Sequence, residues 1–240
     1  LEGKNTIHQT PYSNTGFFSA KTMELLQAKM KRKSFKKDAY LFLEHDESHE
    51  LFYVLDGGVK ITKTTEDGKE LVLYTLHKGD LFGELGLDGE TKHRFQSKTT
   101  ADSVIGVIPT SDMEQIIIHN GEAALELIKW MGRMNQFIHS KLRDLMLYGK
   151  NGALSSTLIR LSHSYGKIVP EGILINKKLK NNELAEMIGT SRETINRMLN
   201  GLKKIHVIDY CGTGEIIILD MEYLKLQCHC EGCPIDICRI

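Results

Sequence analysis

Between residues 33 and 109 the chain alternates short apolar runs with turn residues. The runs Tyr40–Leu43, Glu50–Leu55, Gly58–Thr64, Glu70–Leu76, Gln96–Thr99 and Ser103–Ile108 are rich in Val, Ile, Leu, Phe, Tyr and Thr. Asp56-Gly57-Gly58, Asp67-Gly68 and Lys78-Gly79-Asp80 punctuate them, and Glu66-Asp67-Gly68-Lys69 reads as the clearest hairpin. Many short strands with regular turns predict an antiparallel roll or barrel. Upstream, residues 1–16 are polar and irregular and are expected to fray, and Met23–Met30 has the composition of a short helix.

The period then changes. Ser111-Asp112 opens a helical stretch that reaches about Leu147. Within it Leu127, Met131, Met134, Ile138, Leu142 and Leu145 follow steps of 4, 3, 4, 4 and 3, close to a heptad seam, and Ile128, Trp130 and Phe137 widen it. A helix of this length presents more than about 30 Å of apolar stripe, more than one small domain covers, so a homodimer seam is expected. Packing on the helix's own β domain is the alternative.

Tyr148-Gly149-Lys150-Asn151-Gly152 breaks that helix, and a second domain follows. It reads as a helix over Ala153–Tyr165, an extended stretch Ile168–Asn176 turned at Pro170-Glu171-Gly172, and helices over Asn182–Ile188 and Arg192–Lys203. Val207–Tyr210 and Glu215–Leu219 then flank a hairpin turn at Cys211-Gly212-Thr213-Gly214, and Asp220 is placed to cap a short last helix, Met221–Gln227. The fold class is therefore α+β. Its divisions are a leading segment 1–16, a β domain 17–111, a long helix 112–148, a helix-and-hairpin domain 149–227 and a cysteine-rich tail 228–240.

Charge adds one restriction. Lys plus Arg and Asp plus Glu number 31 each, so binding to nucleic acid has to come from a local patch rather than from bulk charge. No apolar run reaches the roughly 18 residues of a membrane span, and no charged-then-apolar leader is visible, so a cytoplasmic protein with no membrane partner is expected. No dinucleotide glycine fingerprint, nucleophile motif or His-rich metal pair is found, and no enzymatic activity is expected.

Residues 182–199 have the pattern of a helix-turn-helix. Leu184, Ala185 and Ile188 supply the inner face of the first helix, Gly189 the tight turn, and Ile195, Met198, Leu199 and Leu202 the inner face of the second. Thr190 with Glu193 forms a candidate capping box. Arg192, Glu193, Asn196 and Arg197 point outward from the first turns of the second helix, and Ser191 precedes it. Arginine pairs with guanine O6/N7 and glutamate accepts from cytosine N4, so this face suits the major groove of double-stranded DNA. The hairpin after residue 207 reads as a wing.

Four of the five cysteines, Cys228, Cys230, Cys233 and Cys238, fall within eleven positions. In a reducing compartment such density points to metal or iron–sulfur ligation rather than disulfides. Cys228 and Cys230 stand two apart, which makes it hard for both to reach different irons. Zinc held by four cysteines is the alternative occupant.

Taken end to end, the chain resembles the CRP/FNR family of transcription regulators. The stretch Ser191-Arg192-Glu193-Thr194-Ile195-Asn196-Arg197 is similar to the family's recognition-helix motif, and Gly79-Asp80-Leu81-Phe82-Gly83-Glu84-Leu85-Gly86 to its β-roll signature. The resemblance implies an N-terminal β-roll like that of cyclic-nucleotide-binding domains, a long dimerisation helix and a C-terminal winged helix-turn-helix. It also implies a homodimer on TGTGA-type palindromes, read by Arg192, Glu193 and Arg197, and a partnership with RNA polymerase. In the members that bind cyclic AMP, a Glu and an Arg-Ser pair hold ribose and phosphate. Here Glu84 and Arg94 are present but Phe95 stands in place of the small hydroxyl residue, so cyclic nucleotide is not expected. The tail resembles that of the Gram-positive, Bacillus-type FNR branch. That likeness implies a [4Fe–4S] cluster on Cys230, Cys233 and Cys238, with Asp144 of the long helix as fourth ligand, and regulation by oxygen. Cys228 is the lesser candidate for that fourth place, and Cys211 a bystander.

Overall fold

The structure, a computed structural model, describes residues 13–84 and 92–240. Residues 1–12 of the expected leading segment, and Leu85 and Gly86 of the β-roll signature, lie outside the described residues. Two compact units are present: a roll unit of residues 13–68 and 72–135, and a C-terminal unit of residues 69–71 and 136–240.

In the roll unit, α1 (Ala20–Lys29) leads into β1 (Lys31–Phe35), β2 (Tyr40–Phe42), β3 (Glu50–Asp56), β4 (Gly58–Thr64), β5 (Glu70–His77), β6 (Leu81–Phe82), β7 (Gln96–Thr99) and β8 (Ser103–Pro109). They form two four-stranded sheets, ordered β1-β8-β3-β6 and β2-β7-β4-β5. Phe42, Phe52, Val54, Val59, Ile61, Leu76, Phe82, Ile105 and Val107 fill one core, with Tyr74 and Phe95 packed against it. Gly57 joins β3 to β4 at φ +86°, and a Cβ there would stand 2.3 Å from Ser103 Oγ and 2.7 Å from the Asp102 carbonyl, so only glycine fits the turn.

The first described residues are docked rather than frayed. Asn14 is buried; its N–H donates to Asp80 Oδ1 (2.7 Å), its Nδ2 to the Leu81 carbonyl (2.8 Å), and its Oδ1 accepts from Leu81 N–H (2.8 Å). One short amide side chain thus satisfies the backbone of β6 on both sides, which composition alone does not reveal.

The single helical stretch expected after residue 111 is two helices, α2 (Thr110–His119) and α3 (Gly121–Leu147). Asn120 separates them in an extended conformation, φ −138° and ψ 96°. Its Oδ1 accepts from Ala123 N–H at 3.0 Å, so it starts α3 as an N-cap.

The apolar positions of α3 divide between two faces. Ala123, Leu127 and Trp130 are buried with Phe18, Leu26, Leu51, Leu81 and Ile108, and Met134 packs against that cluster. Leu125, Ile128, Met131, Ile138 and Leu142 are 46–64% exposed. Leu127 and Met134 therefore belong to the core of the roll unit and not to an outer seam. The outer line is Ile128, Met131, Asn135, Ile138, Leu142 and Leu145, spaced 3-4-3-4-3.

In the C-terminal unit, α4 (Gly149–Tyr165), β9 (Gly166–Val169), β10 (Gly172–Ile175), α5 (Asn181–Ile188), α6 (Arg192–Lys204), β11 (Ile208–Tyr210), β12 (Ile216–Ile218) and α7 (Met221–Gln227) follow. The strands form one sheet in the order β11-β12-β10-β9. Residues 152–162 of α4 are all buried, including Ser155, Ser156, Thr157 and Arg160. Among the described residues no helix is long and apolar enough to cross a membrane.

Candidate functional site

Two surfaces of the C-terminal unit carry chemistry. The first is α6. Leu184, Ala185, Met187 and Ile188 of α5 and Ile195 and Leu199 of α6 are buried. Gly189 turns between the helices in the left-handed region, φ +66°, and its N–H closes on the Ala185 carbonyl. This packing turns Arg192, Glu193, Asn196 and Arg197 to solvent on one face of α6, while Met198 and Leu202 are only half-buried.

The cap differs from the expected Thr190–Glu193 box. Ser191 is the N-cap, with an extended backbone, and its Oγ accepts from Thr194 N–H at 3.2 Å. The helix starts one residue later than that box requires, so Glu193 is not at the reciprocal position. Its carboxyl is held below the usual range by its own backbone N–H and then by Ser191, which keeps it an ionised acceptor. The wing, β11 and β12, is antiparallel; in its turn Cys211 Sγ lies 3.0 Å from Thr213 Oγ1 and 2.9 Å from Glu215 Oε2.

The second surface joins α3, α4 and the tail. Asp144 is 4% exposed, so it is not a solvated helix carboxylate. Its Oδ1 accepts from Arg143 Nε (3.0 Å) and Nη2 (2.8 Å). Its Oδ2 accepts from Arg160 Nη2 (2.9 Å) and from Ser156 Oγ. Two arginines and a hydroxyl thus fill both carboxylate oxygens.

The tail folds back on this group. Arg143 also pairs with Glu231, Arg160 Nη1 donates to the Ile237 carbonyl (3.1 Å), and the Tyr148 and His229 rings stack at 4.8 Å. His163 Nδ1 lies 2.7 Å from the Cys238 carbonyl; a carbonyl only accepts, so Nδ1 carries the proton. Burial holds that imidazole below its ordinary range, with Arg160 and Lys225 adding to the effect against the Cys238 carbonyl bond.

The thiols converge without closing. All the cysteines are free; Cys228 and Cys238 are buried, Cys230 and Cys233 half-buried. Burial pushes the Cys228 thiol up to about 12, with Cys230, Asp144 and Cys238 adding to the effect. Burial likewise pushes Cys238 up to about 11; Arg160 opposes this, and Cys230, Cys233 and Asp144 reinforce it. Arg143 and Arg160, paired with Asp144, supply positive charge in the same neighbourhood. Among the described residues no three His, Cys, Asp or Glu side chains are close enough together to hold a metal ion. A cleft of ≈ 640 Å³ lies beside them, lined by Gln136, His139, Ser140 and Arg143 of α3 and by Glu231, Cys233, Pro234 and Ile237.

The donor set, three thiols and a carboxylate, fits an iron–sulfur cluster in chemical type, but among the described residues it is not gathered at ligating distance. For Asp144 to ligate iron it must release at least one of its present bonds. Arg143, Arg160 and Ser156, which occupy it, are not legible as a site in the sequence.

A roll of two sheets, a long helix and a winged helix-turn-helix with an exposed basic reading face define a DNA-binding transcription regulator. The descriptions of known families agree: the Cyclic nucleotide-binding domain matches residues 32–120, and the Crp-like helix-turn-helix domain residues 152–226. The chain is 41% identical over 229 residues to the "Anaerobic regulatory protein" of Bacillus subtilis (strain 168), covering 95% of this chain and 96% of that one. It is 29% identical over 176 residues to the cAMP-activated global transcriptional regulator CRP of Salmonella typhimurium, covering 72% of this chain and 82% of that one. Among solved structures, a CooA variant from Carboxydothermus hydrogenoformans superposes with a TM-score of 0.73 at 22% identity, over 90% of this chain and 99% of that one. The chain belongs to the CRP/FNR family of transcription regulators.

Proposed function

We propose that this protein is an oxygen-responsive regulator whose dimer binds TGTGA-type palindromes while a [4Fe–4S] cluster is held by Cys230, Cys233, Cys238 and Asp144. The observation that carries the reading is the docking of the tail beside Asp144: Arg143 pairs with both Asp144 and Glu231, and Arg160 holds both Asp144 and the Ile237 carbonyl next to Cys238. It is supported by likeness across nearly the whole chain to a protein described as an anaerobic regulator. A cubane supplies an oxidation-sensitive centre with one protein ligand per iron, and thiolates are its preferred ligands. Asp144 is a harder and weaker ligand for it than a thiolate, and its existing bonds to Arg143, Arg160 and Ser156 compete for the same oxygens. Cys228, only two residues from Cys230, is the lesser candidate.

The test is anaerobic purification. The expected result is a brown protein containing iron and acid-labile sulfide that loses specific DNA binding in air. A colourless protein with stoichiometric zinc would remove the cluster.

The roll is read as scaffold and coupling element rather than as a cyclic-nucleotide site. Phe95 packs against its aromatic core, and Glu84 Oε1 accepts from Arg94 N–H at 3.3 Å. RNA polymerase is the expected protein partner, in the cytoplasm.

The exposed line of α3 is read as the seam of the homodimer. Asn135 stands within the apolar positions, as a polar residue that sets register in a coiled coil does. Ile138→Glu with Leu142→Glu places four charges in that seam across the two subunits. These substitutions are expected to convert the dimer to a monomer of half the mass in sedimentation equilibrium, with helix content retained. A variant that remains dimeric would place the interface elsewhere.

A further inference from the structure

We propose that Arg160 is the positioning residue of the cysteine tail: one buried guanidinium holds Asp144 of α3 and the backbone next to Cys238 in fixed relation, with no thiol taking part. Arg160 is 2% exposed on α4. Its Nη2 donates to Asp144 Oδ2 (2.9 Å) and to Ser140 Oγ (3.1 Å), its Nη1 to the Ile237 carbonyl (3.1 Å), and its Nε to Ser156 Oγ (3.3 Å). The guanidinium also lies 5.9 Å from the centre of the Phe137 ring. All three nitrogens of the fork are used, on partners from α3, α4 and the tail. A planar guanidinium spans such a set, whereas an ammonium, a single point of charge, does not.

Three further ties from the tail to α3 and α4 use no sulfur: Arg143 with Glu231, His163 with the Cys238 carbonyl, and Ile240 N–H donating to Ser164 Oγ at 3.0 Å. The tail is therefore docked by the polypeptide itself. It follows that ending thiol ligation does not by itself release the tail. Were a cluster bound, Asp144 would exchange one of its arginine or serine donors for iron, and it would regain that donor when the cluster is lost. Only this last consequence rests on the cluster reading above.

The experiment uses the full chain, reduced and freed of metal by chelator, and reads alkylation of Cys238 by iodoacetamide with peptide mass spectrometry. In the parent, Cys238 is expected to react slowly. In Arg160→Gln its rate is expected to rise about tenfold or more, as local opening of the tail exposes it. Over the same time Cys211 labelling and amide exchange in α5 and α6 stay at the parental rate. A parental rate for Cys238 in Arg160→Gln overturns the proposal, and so does a general loosening in which Cys211, α5 and α6 speed up equally. Where Arg160→Gln does not fold, Arg160→Lys, which keeps the charge and most of the stem, gives the same reading: unchanged Cys238 labelling overturns it. Iron and sulfide uptake by the parent is measured separately. A chain that takes no cluster yet loses Cys238 protection on Arg160→Gln rejects the cluster and keeps the positioning role. The converse pair of results rejects only the positioning role.

Discussion

Arg197→Ala is expected to abolish discrimination between a TGTGA-type palindrome and unrelated duplex. The loss is roughly 1–3 kcal/mol for the base contact at each half-site. Arg197 is exposed on α6 one turn beyond Glu193, and the buried face of that helix is carried by Ile195 and Leu199. Alanine is at least as good a helix former as arginine, so the fold is expected to survive. Non-specific binding, which rests on phosphate contacts, falls much less. Gel-shift competition between operator and unrelated duplex at fixed salt measures the difference. Specificity equal to the parent's would remove α6 as the reading element.

Asp144→Ala is expected to have a second large effect, on stability as well as on any cluster. The carboxylate is buried and neutralises Arg160, itself buried, and Arg143. Removing one partner of a buried ion pair costs about 3–5 kcal/mol, because the other charge is left uncompensated. That is a large share of the roughly 5–15 kcal/mol that holds an ordinary domain together. Asp144→Asn keeps the shape and two of the polar contacts, and should lose less. Urea unfolding of the metal-free protein reads this without reference to iron, and a loss below about 1 kcal/mol would contradict the buried bridge. Under the cluster reading the folded fraction of either variant should also hold a cluster that air destroys faster than the parent's.

The two predictions differ in how much of them could be read from the chain. The face of α6 follows from local periodicity: once Leu184, Ala185, Ile188, Ile195 and Leu199 are taken as the inner positions, Arg192, Glu193, Asn196 and Arg197 have only the outside left. Asp144 is different. Its proximity in sequence to Lys141 and Lys150 suggests a solvated pair. The partners it has, Ser156 and Arg160, are 12 and 16 residues away, on the next helix. Nothing in a helical period reports which residues of a second helix meet those of the first.

Local patterning therefore determined six of the eight described strands of the roll (β1 and β6, one polar and one only two residues long, left no such pattern), the turn at Gly57, the helix-turn-helix and the concentration of thiols in the tail. Each of these depends on residues close in sequence whose backbone preferences or period of 2 or 3.6 can be read directly. Tertiary structure alone decided three things. Asn120 ends one helix and caps the next because its side chain closes on Ala123 instead of continuing the helix. The apolar positions of α3 divide, with Leu127 and Trp130 in the roll core and Ile128, Met131, Ile138 and Leu142 exposed. Adjacent apolar stripes on one helix have the same spacing, so only the packed neighbour tells them apart. And the cysteine tail is fastened to α3 and α4 through Arg143, Arg160 and His163, by backbone carbonyls and carboxylates rather than by its sulfurs. Spacing of cysteines shows what a tail can bind; only the folded chain shows what holds the tail in place.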